Sequence, residues 1–370
     1  MKDVATGHKH MKRAMALARK GIGRTAPNPS VGCVIVKDGL IVGEGWHRKA
    51  GTPHAEIHAL NLAGAAAREA DVYVTLEPCC HTGATPPCSE ALIRAGVKRV
   101  VAGMRDPNPR VSGGGLAALK QAGIETTCGL LEEACRAINL PFIKHITTGL
   151  PYVTYKCAMT LDGKIASVTG ESRWISCEES RKHVHRMRSR CDAVMVGVDT
   201  ILADNPQLTV RHVRGRNPLR VIVDSTLRTP TSVEILNIAL AKKTIIATTV
   251  ENLAIHQRYL QNGATVLVCN AQNGRVDLQD LLEKLGRLGV QSILMEGGSR
   301  LAGDALSRGL IDECVFFYAP KVIGSDGFSP FAITGITDMS HALAFSELSV
   351  RRMGSDILVT ARPEASCLPA

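Results

Sequence analysis

The stretch Thr75-Leu-Glu-Pro-Cys-Cys-His-Thr-Gly-Ala-Thr-Pro-Pro-Cys88, with His54-Ala-Glu56 upstream of it, decides how the first part of this chain folds. Its main chemical groups are the imidazole of His54, the thiols of Cys79 and Cys88, which each follow a proline, and the carboxylate of Glu56, which need not be a ligand. Three nitrogen and sulfur ligands on Zn²⁺ leave the fourth tetrahedral position for water, which distinguishes a catalytic zinc site from a closed structural one. His54, Cys79 and Cys88 are therefore candidate zinc ligands, and Glu56 is expected beside them.

These residue types suit one kind of chemistry. Attack of water on an amino-bearing ring carbon needs hydroxide near neutral pH, and Zn²⁺ provides it by lowering the pKa of its bound water to roughly 7. A carboxylate within hydrogen-bond reach can take the proton of that water and pass it to the departing nitrogen. Glu56 is the candidate. A helical turn opening at Cys79 or Cys88 would favour the thiolate. The order His-x-Glu, then Pro-Cys and a second Cys, is typical of zinc-dependent base deaminases.

Other interpretations of the same residues stay open. Histidines and cysteines close in sequence also form structural zinc sites, or pack as buried apolar residues without metal. Cys80 and His81 are spare donors, so Cys80 could take the place of Cys79. Cys79 and Cys88 are nine positions apart, whereas the usual deaminase signature has Cys-x-x-Cys.

In the second half of the chain, Glu296-Gly-Gly-Ser-Arg-Leu-Ala-Gly303 follows a strand-like run and leads into a helical pattern. Backbone amides at such a turn, with a helix N-terminus behind them, suit a phosphate. A simple tight turn is the alternative. The segment is not a Gly-x-Gly-x-x-Gly fingerprint, so it does not predict a Rossmann domain.

Length and composition indicate a globular protein of two domains. The chain has 370 residues, 45% hydrophobic and 21% charged, and domains usually have 100–200 residues. No apolar run reaches the roughly eighteen residues of a membrane span. The N-terminus carries no apolar signal core, so we expect a cytoplasmic protein with reduced cysteines. For seven of its twelve cysteines we expect core packing: Cys33, Cys128, Cys135, Cys157, Cys191, Cys269 and Cys314.

The formal charge of +10 permits more than one partner. An excess of basic residues can indicate a nucleic-acid partner. However, only 4% of residues are aromatic, so side chains on which bases could stack are scarce. Attraction of a small phosphorylated substrate explains the charge with fewer assumptions. We therefore predict no nucleic-acid and no membrane partner, and a homo-oligomer, with a dimer as the default.

Short β-rich runs alternate with helical patterns, which indicates α/β layers. We expect a boundary within 141–151, domains at 1–146 and 147–365, and a loose tail from Arg362. Predicted strands cover 31–36, 72–76, 97–103, 152–158, 193–198, 219–223, 243–248, 265–268, 292–295 and 313–318. Predicted helices cover 9–20, 55–70, 88–95, 114–122, 130–139, 177–190 and 278–288.

The first half resembles the deaminase half of the bifunctional riboflavin-biosynthesis deaminase/reductase family, which has the same long step between its cysteines. The resemblance lies in these segments: Ala26-Pro-Asn-Pro-Ser-Val-Gly32, His54-Ala-Glu56, Glu77-Pro-Cys-Cys-His-Thr-Gly83, Pro86-Pro-Cys88 and Arg105-Asp-Pro-Asn-Pro109. It implies a cytidine-deaminase-like three-layer α/β/α domain with zinc on His54, Cys79 and Cys88, and Glu56 as proton shuttle. It also implies substrate contacts for Asn28, His81, Asp106 and Asn108. Ala84 stands where the family often has a basic residue.

The second half resembles the reductase half of the same family, a dihydrofolate-reductase-like α/β domain that uses NADPH. The segments are Lys156-Cys-Ala-Met-Thr-Leu-Asp-Gly-Lys-Ile-Ala166, Gly170-Glu-Ser-Arg-Trp-Ile175, Asp199 to Arg211, Val223-Asp-Ser225 and Glu296-Gly-Gly-Ser299. The implied NADPH contacts are Lys156, Ala158, Trp174, Thr200, Asp204, Ser225, Gly298, Ser299, Arg300, Leu301, Ala302, Gly303 and Asp304. The implied substrate contacts are Ser172, Arg188, Leu208, Arg211 and Glu296.

The resemblance implies two successive reactions on one phosphorylated pyrimidine, a hydrolytic deamination and then an NADPH-dependent reduction of its ribosyl group. Arginine suits a phosphate because its guanidinium donates two aligned hydrogen bonds. For Trp174, stacking on a cofactor and core packing are both open. Two alternatives to this bifunctional enzyme remain open. The chain could be a nucleic-acid deaminase, or only one of its halves could be active.

Overall fold

The computed structural model describes residues 2–81, 86–108 and 111–364. The chain divides into two compact units, Met1–Gly149 and Leu150–Ala370. Each unit has its own sheet and its own apolar core. The family difference noted at Ala84 lies outside the described residues.

Unit 1 is a five-stranded sheet with helices around it. Its strands are β1 (Gly32–Lys37), β2 (Leu40–Trp46), β3 (Asp71–Val74), β4 (Arg99–Ala102) and β5 (Glu125–Cys128). Its helices are α1 (Lys2–Ala18), α2 (Ala55–Ala63), α3 (Cys88–Ala95), α4 (Gly114–Gln121), α5 (Glu132–Arg136) and α6 (Leu140–Thr148), with a 3₁₀ turn at Gly64–Ala67. The strand order is β2-β1-β3-β4-β5.

The direction of these strands positions the first site. β1 pairs antiparallel with β2 and β3, whereas β3, β4 and β5 run parallel. The loops after β3 and β4 therefore leave the same edge of the sheet, which is where open α/β sheets bind ligands. Glycines allow the helices to approach closely, since a Cβ on Gly45 would lie 2.1 Å from the carbonyl oxygen of Ala55 in α2.

Unit 2 has a nine-stranded sheet. Its strands are β6 (Tyr152–Thr160), β7 (Ala193–Gly197), β8 (Leu219–Val223), β9 (Thr244–Thr248), β10 (Thr265–Val268), β13 (Ser292–Glu296), β14 (Glu313–Ala319), β15 (Phe345–Met353) and β16 (Asp356–Pro363), while β11 (Ala271–Gln272) and β12 (Arg275–Val276) form a separate pair. Its helices are α7 (Glu178–Arg190), α8 (Val198–Asp204), α9 (Ile238–Ala241), α10 (Leu253–Leu260), α11 (Leu278–Arg287) and α12 (Ser299–Ser307), with 3₁₀ turns at Glu234–Leu236 and Met339–His341.

The sheet order in unit 2 is β10-β9-β8-β7-β13-β6-β14-β16-β15. All neighbours are parallel except the last three strands, in which β16 is antiparallel to both β14 and β15. Strands β7, β8, β9 and β13 are buried along nearly all of their length, as expected for parallel strands covered on both faces. The structure thus agrees with the α/β class predicted for both halves.

Several sequence-based predictions were wrong in detail. The tail is not loose from Arg362, because Arg362 and Pro363 belong to β16. The single helix expected over 130–139 is the short α5, and α6 follows it. Pro141 lies in the first turn of α6, where its missing N–H needs no helical partner.

The prediction of a buried Cys128 was also wrong. This cysteine is exposed because β5 is the edge strand of its sheet, with a mostly exposed pattern. The six other cysteines expected in the core are buried. None of the helices in the described residues combines the length and apolar character that a membrane crossing requires.

Candidate active sites

The three candidate zinc ligands of unit 1 converge, and each comes from a different local element. His54 immediately precedes α2, Cys79 lies in the loop after β3, and Cys88 is the first residue of α3. His54 Nδ1 lies 3.3 Å from Cys88 Sγ and 3.6 Å from Cys79 Sγ. All three donor atoms lie within 4.8 Å of one another. The structure therefore brings together the chosen set, with Cys79 rather than Cys80.

Protons in this cluster are shared. The Cys88 thiol donates a hydrogen bond to Cys79. This hydrogen bond lowers the pKa of Cys79 and raises the pKa of Cys88. Burial raises the pKa of Cys88 further. The hydrogen bond with Cys79 also raises the pKa of His54. The backbone N–H of Cys88 donates to Cys79 Sγ at 3.3 Å, another interaction that favours the thiolate. A divalent cation would displace the shared protons, since metal ligands bind deprotonated.

Glu56 lies beside this cluster and is almost completely buried, with 3% of its surface exposed. It is in the first turn of α2. Burial first, and then the negative charge of Cys79, raise the pKa of Glu56 to about 7. A buried carboxyl group whose pKa is near neutrality can both accept and release a proton.

Two of the expected substrate contacts of unit 1, Asn28 and Asp106, are linked to residues of the cluster. Asn28 Nδ2 lies 3.2 Å from His47 Nε2, and the His47 ring lies 5.3 Å from that of His54. Asp106 is buried in the loop after β4, and its carboxylate accepts the backbone N–H of Asn108 at 2.8 Å. Burial is the main cause that raises the pKa of Asp106 to about 6, and the hydrogen bond from the backbone N–H of Asn108 opposes it.

Unit 2 contains a cavity of about 890 Å³ where β7, β8 and β13 end. Most of the residues expected to contact NADPH or substrate line it. They are Lys156, Ala158, Ser172, Trp174, Arg188, Thr200, Asp204, Leu208, Arg211, Ser225, Glu296, Gly298, Ser299, Arg300, Leu301 and Asp304. Ala302 and Gly303 are not among the lining residues, because Ala302 is buried in the core and Gly303 packs against the backbone of Ala332.

A buried ion pair forms one wall of this cavity. Arg188 from α7 donates through Nε and Nη2 to the two carboxylate oxygens of Glu296, at 2.6 and 2.8 Å. Its Nη1 donates to the carbonyl of Thr209, and Lys156 Nζ lies 3.7 Å from the same carboxylate. Burial alone would raise the pKa of Glu296, but Arg188 and Lys156 outweigh it and hold the pKa at about 2. Glu296 is therefore a fixed anion that orients both cations.

Trp174 and Arg211 lie at more open parts of the same cavity. Trp174 is 64% exposed, which rules out core packing, and the guanidinium of Arg181 lies 4.8 Å from its ring centre. Arg211 Nη1 donates to Gln207 Oε1 and Thr209 Oγ1, both at 3.0 Å. Burial and the charge of Arg188 lower the pKa of Arg211.

The glycine turn before α12 faces the cavity. Gly297 and Gly298 have φ of 74° and 78°, values that side chains rarely adopt. A Cβ on Gly297 would lie 3.3 Å from Thr200 Oγ1, so the turn lies close against α8. Bare backbone next to a nine-residue helix N-terminus is a suitable place for a phosphate.

Comparison with known proteins assigns the family. The family model described as the RibD C-terminal domain matches residues 151–359, and the cytidine and deoxycytidylate deaminase zinc-binding region matches residues 5–104. The riboflavin biosynthesis protein RibD of Actinobacillus pleuropneumoniae is 47% identical, over 95% of this chain and 93% of its own length. That of Escherichia coli K12 is 42% identical, over 94% of this chain and 97% of its own.

This chain belongs to the RibD family. Solved structures agree with that assignment. RibD of Acinetobacter baumannii superposes with a TM-score of 0.89 at 38% identity, covering 98% of this chain and 99% of its own. A deaminase/reductase from Thermotoga maritima gives a TM-score of 0.87 at 37% identity, covering 98% and 100%. The expected fold class, a deaminase-like unit followed by a reductase unit, is confirmed.

The residues of this RibD chain fit both cofactors of the family, Zn²⁺ and NADPH. One nitrogen and two sulfur atoms, spaced 3.3 to 3.6 Å from nitrogen to sulfur, match a tetrahedral ion with ligand bonds of about 2.0 to 2.3 Å. The cavity of unit 2 is large enough for a ligand of drug size or more. Its glycine turn offers backbone amides, and Ser225 lies on its wall. The role of each residue remains a prediction.

Sequence reasoning assigned no role to two residues at the RibD deaminase site. His47 contacts Asn28, and its Nδ1 lies 3.3 Å from the carbonyl oxygen of Pro53, the residue before His54. Glu77 lies in the quoted motif and is buried, but it has no place in the ligand pattern. His47 directly follows β2, a strand that was not predicted. The signal that could have found it was the apolar run Leu40-Ile-Val42 directly after Asp38-Gly39, because an Asp-Gly turn followed by such a run is typical of a β-hairpin.

Proposed function

We propose that unit 1 deaminates 2,5-diamino-6-(5-phosphoribosylamino)pyrimidin-4(3H)-one and that unit 2 then reduces the product, 5-amino-6-(5-phosphoribosylamino)uracil, at its ribosyl group. The observation that carries the proposal is the cluster of His54, Cys79 and Cys88 beside the buried Glu56. The name of the Thermotoga maritima relative includes these two activities, and this chain covers that protein throughout its length.

In the deaminase unit, the residues of this chain handle protons and hold the ring. Zn²⁺, when bound, lowers the pKa of a water molecule to roughly 7. Glu56 takes a proton from the attacking water and delivers it to the amino group, which leaves as ammonia while a carbonyl forms on the ring. Its burial prevents exchange of that proton with solvent. Asn28 and the loop of Asp106 and Asn108 orient the pyrimidine in front of Glu56.

In the reductase unit, the residues of this chain bind and orient. NADPH, when bound, supplies the two electrons that convert the ribosyl group to ribityl. Gly298 and the first turn of α12 hold a phosphate of the cofactor, and Trp174 covers an aromatic ring. Arg211 binds the ribosyl phosphate, while Arg188 keeps Glu296 in place.

Glu56→Ala separates the two activities. Because Glu56 is not a ligand, the variant should keep its zinc. It should lose ammonia release by about a hundredfold or more, within the range of general acid–base catalysis. NADPH oxidation with supplied deaminated intermediate should stay within twofold of the unaltered protein. Zinc analysis and two separate assays measure these quantities.

Glu90→Ala is the matched control, because Glu90 is an exposed glutamate on α3. This variant should retain both activities. Normal ammonia release by zinc-loaded Glu56→Ala would overturn the assignment. A cytoplasmic location, the absence of a nucleic-acid partner and a homo-oligomer remain predictions. A low-salt gel shift with tRNA and a sedimentation measurement test the last two.

A further inference from the structure

Glu77 is a buried carboxylate to which the deaminase chemistry assigns no role. It is 3% exposed and lies two residues before Cys79. Its Oε2 accepts the backbone N–H groups of Asp106 and Gly113, at 3.2 and 2.9 Å. Its Oε1 accepts those of Gly115 and Leu116, at 3.1 and 3.2 Å. Four main-chain donors thus converge on one side chain.

These donors come from two segments that are otherwise separate. Asp106 is in the loop after β4 that also carries Asn108. Gly113, Gly115 and Leu116 form the start of α4, an eight-residue helix. The first N–H groups of a helix have no partner within it, and an anion there is stabilised by the helix dipole. Glu77 therefore joins the loop of expected substrate contacts to a helix N-terminus.

The main chain after Glu77 is held on two further sides. A Cβ on Gly115 would lie 1.8 Å from the carbonyl oxygen of Pro78, so α4 packs directly against the turn that leads to Cys79. The carbonyl of Cys79 accepts both the N–H and the hydroxyl of Ser89 in α3, each at 3.1 Å. The position of Cys79 thus depends on α3, on α4 and on the Glu77 carboxylate.

We propose that Glu77 is a positioning residue of the deaminase. It sets the distance between the zinc ligand Cys79 and the loop of Asp106 and Asn108. The substrate that this loop contacts is thereby held at a fixed distance from the metal. The proposal rests on the deaminase function proposed for unit 1. It predicts that altering Glu77 changes catalysis in protein that is folded and fully loaded with zinc.

Glu77→Gln is the principal variant. An amide accepts through its oxygen only, so its NH₂ group faces two backbone donors, either those of Asp106 and Gly113 or those of Gly115 and Leu116, and the link between the loop and α4 is broken in both cases. Loss of a residue that orients metal ligands typically costs tenfold to a hundredfold in activity. We expect zinc-loaded Glu77→Gln to lose at least tenfold in kcat/KM for ammonia release, with a raised KM because Asp106 and Asn108 move. NADPH oxidation by unit 2 should be unchanged.

Two further variants complete the test. Glu77→Asp keeps the charge and both acceptors on a shorter side chain, so its loss in kcat/KM should be smaller than that of Glu77→Gln. Asp71→Asn weakens the ion pair with Arg99 at the start of β3 and β4 and serves as the stability control. It should lower the melting temperature of unit 1 and leave kcat/KM of the folded protein unchanged.

The outcomes are distinguishable. A kcat/KM within twofold of the unaltered protein in zinc-loaded Glu77→Gln overturns the proposal, as does an equal loss in Asp71→Asn. If Glu77→Gln does not fold, Glu77→Asp is judged by the same twofold limit. If the unaltered protein releases no ammonia from the diaminopyrimidine, the deaminase function itself fails, and the variants play no part in that result.

Discussion

At the residue scale, Gly115 shows how closely the zinc-ligand turn and α4 approach each other. Its ideal Cβ would lie 1.8 Å from the carbonyl oxygen of Pro78 and 3.0 Å from the carbonyl carbon. Both obstructing atoms belong to the backbone, so no side-chain movement relieves the clash. Gly115→Ala must therefore shift either α4 or the Pro78–Cys79 turn. We expect a loss of about 1–3 kcal/mol in the stability of unit 1, as for other overpacked sites.

The same substitution should lower ammonia release at least tenfold without changing NADPH oxidation, as measured by the two assays on equal amounts of protein. Gly7→Ala is the matched control. Gly7 is also helical, but a Cβ there would meet its nearest neighbour, Leu130, at an ordinary 3.5 Å. Retention of full deaminase activity by Gly115→Ala would show that the turn tolerates displacement.

Glu296 gives unit 2 a pH dependence with a definite sign. Its pKa is lowered from 4.5 to about 2, although burial opposes the shift, by Arg188 and then Lys156. A carboxyl group whose pKa is lowered on folding stabilises the protein above its unfolded pKa and loses that contribution as the pH falls through its folded pKa. The contribution is about 3 kcal/mol, at roughly 1.4 kcal/mol per unit of pKa. It should be complete above about pH 5 and lost between pH 5 and 2.

Glu296→Gln should therefore lower the unfolding free energy of unit 2 by about 3 kcal/mol at pH 7. The difference from the unaltered protein should shrink below pH 5. Hydrogen exchange of peptides from β13 and α7, measured at several pH values, follows this difference within unit 2. A difference that stays constant from pH 7 to pH 3 would contradict the role of the ion pair.

At the element scale, the C-terminal hairpin supports the helix that carries Arg188. Asp356, at the start of β16, is 1% exposed. Its carboxylate accepts the N–H of Cys177 at 2.8 Å and the hydroxyl of Ser180 at 2.6 Å. Cys177 is the N-cap of α7 and provides no side-chain cap of its own. Asp356 thus satisfies donors at the first turn of α7 from a strand far away in sequence.

Asp356→Ala should destabilise unit 2 by about 1–3 kcal/mol, because it leaves buried donors without an acceptor. The displaced α7 should also weaken NADPH oxidation, whereas ammonia release should not change. Thermal unfolding and the two assays measure this. Val350→Ala, at an exposed position of β15, should have neither effect. Equal stability of both variants would mean that α7 does not depend on the hairpin.

The elements that could be predicted are those whose apolar pattern is strongest. The parallel strands β7, β8, β9 and β13 are buried along nearly all of their length, and their largely apolar runs predicted them. Among the missed strands, β2, β5 and β15 are edge strands, whereas β16 lies between β14 and β15. In β15 most side chains are exposed, so the pattern resembles a surface loop. Strand β2 follows Asp38-Gly39, a two-residue hairpin turn with positive φ at both residues, and that turn signal was not used.

At the scale of the whole molecule, only those site residues that belong to a sequence motif could be predicted. The ligand set of His54, Cys79 and Cys88 follows from residue types, because few side chains bind zinc. Glu77 and Asp356 act through contacts between segments far apart in the chain, and no local pattern records such contacts. Ala302 shows the opposite error. It lies within a motif that lines the cavity, but helix periodicity turns it toward the core.

Two units with separate cores and separate cofactors should respond separately to those cofactors. A ligand that binds only the folded state stabilises it by about 2.7 kcal/mol at a hundred times its Kd. NADPH at that excess should therefore raise the melting temperature of unit 2 alone. Removal of zinc with a chelator should lower that of unit 1 alone, because His54, Cys79 and Cys88 all lie there. Scanning calorimetry combined with hydrogen exchange assigns each transition to a unit.

Arg211→Ala serves as the control, because we place Arg211 at the ribosyl phosphate rather than at the cofactor. The NADPH-induced shift should persist in this variant. A rise of both transitions with NADPH would show that the units unfold as one body.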